Sequence, residues 1–241
     1  MRVGIISDVH SNLPALGAVL RDMGRVEELW CLGDIVGYGP YPNQVVELLR
    51  QAECHAIPGN HDLGCLGRVP LDDFRDEAQF ACQWTREVLT EENRGYLEGL
   101  PLTITRGDFT LVHGTPQEPV WEYMAYPATA KLAFHYFASR YCLVGHTHVP
   151  LVFLEQGQAG AESIIPTAAA PVPLTQTRAI VNPGSVGQPR DGNPAASYAI
   201  YDDAAGHLEF RRAPYDVAQI QGEMAAQRFP ARLIKRLAYG W

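Results

Sequence analysis

Charge is scarce in this chain of 241 residues. Asp, Glu, Lys and Arg make up 19% of it, and the balance is acidic, at a formal net charge of −8. So few cations exclude a general nucleic-acid binder or a protein held on anionic membrane, since both need broad basic faces. Any phosphate ligand must then be gripped by local chemistry. Long apolar runs are missing too. The longest apolar-looking run, residues 141–154, is too short to span a bilayer and contains His146 and His148. No charged segment followed by a long apolar stretch opens the sequence, so no signal peptide is expected. The five cysteines, Cys31, Cys54, Cys65, Cys82 and Cys142, are odd in number and form no CxxC, which excludes a disulfide framework and a zinc knuckle. The expectation is a soluble, cytoplasmic protein with reduced thiols and no membrane partner.

A core, by contrast, is well supplied. Apolar residues are 46% of the chain, and a chain of this length buries roughly 70–75% of its unfolded surface. Strand and helix signals alternate at the start. A buried strand is expected over residues 3–7. Leu13, Leu16, Leu20 and Met23 then recur at helical spacing behind Ser11 and Asn12, which can cap. A second strand follows at 29–32, and Val45, Leu48 and Leu49 mark a helix after Pro42. A third strand at 54–57 completes a β-α-β-α-β order. Phe74, Ala78, Ala81, Trp84 and Val88 predict a longer helix over 72–89. Strands then dominate, at 102–105, 110–112, 141–144, 149–154, 179–181, 197–201 and 207–210, with one helix over 128–138 among them. Arg106-Gly107-Asp108 is a hairpin turn by its composition. Residues 155–177, rich in Ala, Pro, Gln and Gly, read as a variable loop or hairpin within a single domain spanning 1–241, and 214–241 as closing helices.

The chemistry-bearing residues fall where strands end. Asp8-Val9-His10 follows the first strand, Gly33-Asp34 the second, and Gly59-Asn60-His61-Asp62 the third. His113-Gly114 and Gly145-His146-Thr147-His148 follow two later ones. Ligands of open α/β sheets collect at the carboxyl ends of strands, so these five loops can converge on one site. Imidazole and carboxylate without thiolate suit Mn, Fe, Zn, Co or Ni and not a Cys-rich structural zinc. In D-x-H and H-x-H, alternate residues of an extended segment point the same way and can reach one centre. His55, His135 and His207 stand outside this pattern and are assigned no role.

The ordered set DVH, GDIVGYG, GNHD, HG and GHTH resembles the calcineurin-like metallophosphoesterases, with Asn182-Pro183-Gly184-Ser185 similar to that family's loop near the site. The resemblance implies an α/β fold of two mixed β-sheets packed face to face with helices outside, a four-layer α/β/β/α sandwich. It also implies two divalent metal ions, Mn first, with Fe, Zn, Ni, Co or Mg as alternatives. By the same resemblance Asp8, His10 and His148 would bind one ion, Asn60, His113 and His146 the other, and Asp34 would bridge. His61 would be the catalytic residue, facing the leaving group. Two ions bring +4 against −2 from Asp8 and Asp34, so a net positive site can draw phosphate into an acidic chain. Attack by a metal-bound hydroxide would follow.

One departure from the family narrows the substrate. Protein Ser/Thr phosphatases of the superfamily carry GDxVDRG, whereas Gly37 and Tyr38 here replace the Asp that orients the catalytic His and the Arg that grips phosphate. A His lacking its carboxylate suits an acidic leaving group, which favours phosphodiester or phosphoanhydride bonds over phosphoserine. The segments GDIVGYGP and NPGSVGQPRDG resemble the bacterial diadenosine tetraphosphatase-related branch, so a nucleotide or dinucleoside polyphosphate is the expected small phosphorylated substrate. Tyr38, Tyr41, Trp121, Tyr123 and Tyr126 could stack a base, or simply pack between loops. Arg190 could grip a second phosphate. A Ser/Thr protein phosphatase or phosphomonoesterase, and a non-catalytic metal-binding scaffold, are the alternatives.

Overall fold

Two mixed six-stranded sheets face each other in the computed structural model, which describes residues 1–174 and 177–241. The chain begins β1 (Arg2–Ile6), α1 (Leu13–Met23), β2 (Glu28–Cys31), α2 (Pro42–Gln51) and β3 (His55–Ala56). Three helices follow, α3 (Asn60–Leu66), α4 (Asp76–Val88) and α5 (Glu91–Glu98). Next come β4 (Thr103–Arg106), β5 (Phe109–Val112), α6 (Pro127–Ala133), β6 (Tyr141–Leu143), β7 (Leu151–Glu155), β8 (Ala161–Ile164), β9 (Val172–Pro173) and β10 (Ala179–Asn182). The chain then runs through β11 (Ala196–Asp202), β12 (His207–Ala213), α7 (Val217–Ala226) and α8 (Ala231–Arg236).

The first sheet has the order β3-β2-β1-β11-β12-β9, the second β4-β5-β6-β10-β7-β8. β1, β2 and β3 pair in parallel, as do β5, β6 and β10, so their carboxyl ends gather. Alternation along the strands sorts side chains to two faces. Val3, Ile5, Trp30 and Leu32 of the first sheet meet Leu111, Tyr141, Leu143 and Val181 of the second in the inter-sheet core. The next residues point outward. Ile6, Leu29 and Cys31 pack on Leu16 and Val19 of α1. Val112, Cys142 and Ile180 pack on Ala130 and Ala133 of α6. Burial on both faces explains why these strands read as continuous apolar runs. The result is the four-layer α/β/β/α sandwich expected from the sequence.

Local signals worked where they were strong. Asn12 Oδ1 accepts the Ala15 amide at 3.2 Å and caps α1 as its position suggested. Gly107, at φ 53°, turns the antiparallel β4–β5 hairpin. Two readings need correction. The helix expected over 128–138 stops at Ala133, because the Arg178 guanidinium takes the carbonyls of Phe134 and Phe137 at 3.0 and 2.6 Å and holds them out of a helix. In residues 155–177, read as a loop or hairpin, β7 and β8 pair as a hairpin of the second sheet, and β9 crosses to pair with β12 in the first. Thr175 and Gln176, at the end of that segment, lie outside the described residues. Helices α3 and α5 went unread, since both are short and each carries a glycine, Gly64 and Gly95.

Candidate metal centre

The loops leaving β1 and β2 run on side by side past the ends of the strands. Asp8, His10 and Ser11 amides donate to the carbonyls of Gly33, Asp34 and Ile35 at 3.0, 2.9 and 3.0 Å. On the other side of the β1 loop, Val186 and Gly187 amides donate to Ser7 and Asp8 carbonyls, and the Ser185 hydroxyl donates to the Asp8 carbonyl at 2.8 Å. From the second sheet, the Gly145 amide reaches the His113 carbonyl at 2.8 Å, and Asn182 Nδ2 holds the Gly145 carbonyl at 2.6 Å. Asp62 clamps a third loop, accepting the amides of Ile35, Val36 and Gly59 at 3.2, 2.8 and 2.8 Å. The backbone is thus fixed without help from the candidate ligand side chains.

That fixing holds an uncommon backbone. Asp8, His10, Asp34, His146 and His148 all have φ between 48° and 65°. Non-glycine residues there are rare and cost on the order of 1–3 kcal/mol each, and they persist where surrounding bonds over-determine them. Five of the seven expected ligands share this strain, which turns their side chains toward one centre.

The side chains do meet. Ligand atoms of Asp8, His10, Asp34 and His148 all lie within 4.8 Å of one another, and those of Asp34, His113 and His146 form a second such group. Asp34 belongs to both. Its Oδ2 stands 3.5 Å from Nε2 of His10 and 3.5 Å from Nε2 of His113. Asn60 Oδ1 is 3.3 Å from His113 Nε2, so the expected amide sits beside the second group.

Tautomers follow from the other ring nitrogens. Nδ1–H of His113 donates to the Leu32 carbonyl at 2.8 Å, that of His148 to Gln188 at 2.6 Å, and that of His10 to Val36 at 3.3 Å. Each leaves a bare Nε2 directed inward. His146 is reversed: Nε2–H donates to the Trp121 carbonyl at 3.1 Å, leaving Nδ1 free. Backbone carbonyls that fix an imidazole this way are the usual outer support of a metal ligand.

The residues fit a cation better than they fit each other. Asp8 Oδ2 and Asp34 Oδ2 are buried with no hydrogen-bond partner among the described residues. His10 Nε2 and His148 Nε2 face each other at 3.1 Å. Burial pushes the Asp8 carboxyl up to about 7, with the Asp34 charge adding to it. Burial and then the neighbouring Asp62 hold Asp34 well above the usual carboxylate range. Burial, followed by nearby cationic groups, holds His10, His61, His146 and His148 well below the ordinary histidine value. Unpaired carboxylate oxygens beside neutral imidazoles form the donor set of a divalent metal.

His61 lies at the start of α3, its amide donating to Asp34 Oδ1 at 2.9 Å. Its ring is enclosed by Tyr38, His10 and Phe74, with centroids at 4.3, 4.8 and 5.1 Å. Gly37, at φ 87°, passes directly under it, and a Cβ there would lie 2.8 Å from His61 Nδ1. In place of a carboxylate, the Cys82 thiol stands 3.7 Å from that nitrogen. The cavity in front of the ring has a volume of about 430 Å³, and Tyr38, Trp121, Tyr123 and Arg190 are among the residues lining it. Tyr123 stacks on His146 with centroids 4.1 Å apart. Tyr41 and Tyr126 do not line it, and Tyr126 is 70% exposed. Phe74, Arg75 and Arg236 also line the cavity and went unread. No sequence signal marked them, because they reach the site only through packing of α4 and α8. Asp62, by contrast, stood in plain view within GNHD.

The family model of the calcineurin-like phosphoesterase superfamily domain matches residues 1–205. An uncharacterized protein of Methanocaldococcus jannaschii is 38% identical over 246 residues, covering 99% of this chain and 98% of that protein. Among solved structures, a metallophosphoesterase from Sphaerobacter thermophilus matches with a TM-score of 0.92 and 47% identity, covering 100% of this chain and 99% of that one. A hypothetical protein from Pyrococcus horikoshii OT3 shares the fold at a TM-score of 0.80 and 21% identity, over 100% and 98% of the two chains.

Proposed function

The chain belongs to the calcineurin-like phosphoesterase superfamily and is a metal-dependent hydrolase; from that premise we propose that it cleaves phosphodiester or phosphoanhydride bonds of a nucleotide at a two-metal centre. The observation that carries this is Asp34, shared by two groups of ligand atoms and buried with a bare Oδ2 between His10 and His113. Asp8, His10 and His148 would hold one ion, Asn60, His113 and His146 the other, with Asp34 offering an oxygen to both groups. Bound there, two divalent ions supply charge for the phosphoryl oxygens and a lowered pKa for water. Imidazole, carboxylate and amide donors without thiolate suit Mn, Fe, Zn, Co or Ni, and manganese is taken first on the family resemblance.

The remaining roles belong to the chain itself. His61 holds the proton for the departing oxygen, and the thiol of Cys82 beside Nδ1 sets the ring so that Nε2 serves the cavity. Arg190 pairs with a phosphoryl oxygen and Trp121 walls off water. A thiol stabilises the imidazolium less than a carboxylate does, so less of His61 carries the proton it would donate. Bonds with acidic leaving groups, which depend least on that proton, are therefore favoured over phosphoserine.

We read residues 1–241 as a single domain, with α7 and α8 packed on α4 through Ala81, Ile220, Met224 and Leu233. The five free cysteines support a reducing, cytoplasmic setting, and no helix among the described residues is long and apolar enough to cross a membrane. The test is hydrolysis of bis-p-nitrophenyl phosphate beside the monoester, by metal-stripped protein with and without Mn. Mn-dependent turnover of the diester, lost in His61→Asn while Mn still binds, is expected. Preference for the monoester would overturn the diester reading. Folded, Mn-loaded protein that turns over neither ester nor any nucleotide would favour the scaffold.

A further inference from the structure

A second cavity of about 520 Å³ opens beside the metal pocket, and the two share Tyr38, Arg75 and Arg236 on their walls. Tyr38 is the partition: its ring packs 4.3 Å from His61 on the inner side and lines the outer cavity on the other. Guanidinium groups arrive here from three separate elements. Arg75 precedes α4 and is exposed, Arg236 ends α8 half-buried, and Arg190 projects from the 183–192 loop. Arg75 and Arg190 form no ion pair among the described residues, and Arg236 meets a main-chain oxygen of Trp241. Arg190 donates to Gln188 Oε1 at 3.0 Å while its buried Nε has no partner, and Arg236 Nε donates to the Trp241 carbonyl. Burial and the charge of Arg190 push Arg236 down to about 10. Guanidiniums gathered in this way in a chain of net charge −8 call for an anion. The acidic groups nearby do not supply it: Glu77 is taken by Arg232 at 3.3 Å, and Asp73 stands on the inner wall.

The far wall is aromatic. Tyr239 and Trp241 stack with centroids 4.9 Å apart and yet remain 56% and 64% exposed. Gly240 between them, at φ 67°, lies against the Asn193 backbone, and its carbonyl accepts the Gly192 amide at 3.0 Å. The aromatic pair is thereby tied to the same loop that carries Arg190. Exposed rings held rigid beside unpaired guanidiniums form a platform for a flat ring attached to an anion.

We propose that this trench is a second subsite for the non-reacting end of the substrate, in which Arg75 and Arg236 hold a further phosphate group and the Tyr239–Trp241 pair holds an aromatic ring. The ligand class is a nucleoside polyphosphate. The proposal rests on the reading of the metal pocket as the phosphoester site and supplies the cationic grip that Tyr38 cannot.

Binding to the metal-stripped full chain reads the subsite without hydrolysis. ATP, tripolyphosphate and adenosine are titrated calorimetrically at low ionic strength against the parent chain, Arg236→Gln, Arg75→Gln and Trp241→Ala. Arg25→Gln, in the α1–β2 loop, is the control. Loss of either guanidinium should weaken ATP and tripolyphosphate alike by about tenfold. Trp241→Ala should weaken ATP by about fivefold or more and spare tripolyphosphate. Arg75 and Trp241 are exposed, so their removal does not threaten the fold. Absence of ATP binding, or equal affinity across all variants, overturns the subsite. A chain that hydrolyses the diester yet binds ATP equally with and without Arg236 loses the subsite alone. One that binds ATP through Arg236 and hydrolyses nothing loses the phosphoesterase reading instead.

Discussion

Asp8 and Asp34 each have one oxygen hydrogen-bonded and one bare, in a setting that resists ionisation. Asp8 carries its proton up to about pH 7, against an ordinary value of 3.8. In the metal-free fold this favours the protonated form, so the stability it contributes is complete below about pH 4 and is lost as pH rises through 7. A bound cation reverses the preference, because it requires the carboxylate, and below pH 7 it must displace a proton. Burial holds His10, His61, His146 and His148 well below the ordinary histidine value, and a bound metal favours the same neutral form, so these four do not offset the trend. Mn at fixed concentration should therefore raise the melting temperature more at pH 8 than at pH 6, as differential scanning calorimetry will read; an equal or smaller shift at pH 8 contradicts the ligand role of Asp8. A second residue-scale test concerns Cys82. If its thiol sets His61, Cys82→Ala lowers kcat for the diester about three- to tenfold with KM held. Cys82→Ser, which keeps a polar group at Nδ1, restores most of the rate. A change confined to KM would assign Cys82 to packing.

Elements explain what sequence could and could not disclose. The loops after β1, β2, β3, β5 and β6 were legible because ligand and strand end stand next to each other in the chain. Asp8-x-His10 and His146-x-His148 carry their chemistry in three residues. The strain that aims them was not legible, since φ values of 48° to 65° at Asp, His and Ser are imposed by hydrogen bonds from loops far away in sequence. The supports were equally hidden: Asn182 holds the Gly145 carbonyl across 37 positions, and Asp62 holds two amides of the β2 loop. Asp62→Asn turns one of the two accepting oxygens into a donor, against the Val36 amide or against those of Ile35 and Gly59. It should destabilise the fold by about 1–3 kcal/mol in urea titrations, because buried amides would be left unpaired. It should also weaken Mn binding by loosening the loop that carries Asp34. Unchanged stability would show that the clamp is dispensable.

Over the whole molecule, the parallel strands of two sheets bring their carboxyl ends to one edge, and the guanidiniums of Arg75, Arg190 and Arg236 stand beside that edge. The sandwich was legible from the order of strands and helices taken with the motif set. The crossing of β9 to the first sheet was not, because two residues paired to β12 leave no periodic trace. Nor was the approach of α8, whose Arg236 enters the cavity 46 positions from Arg190 by packing alone. The claim that joins these scales is a pair of ions sharing Asp34. Titration of the metal-stripped chain with Mn, followed by isothermal calorimetry and metal analysis after gel filtration, tests it most directly. Two ions per chain are expected for the parent, with both sites weakened together in Asp34→Ala and one retained in His113→Ala. A single ion per chain, or full occupancy after Asp34 is removed, would contradict it.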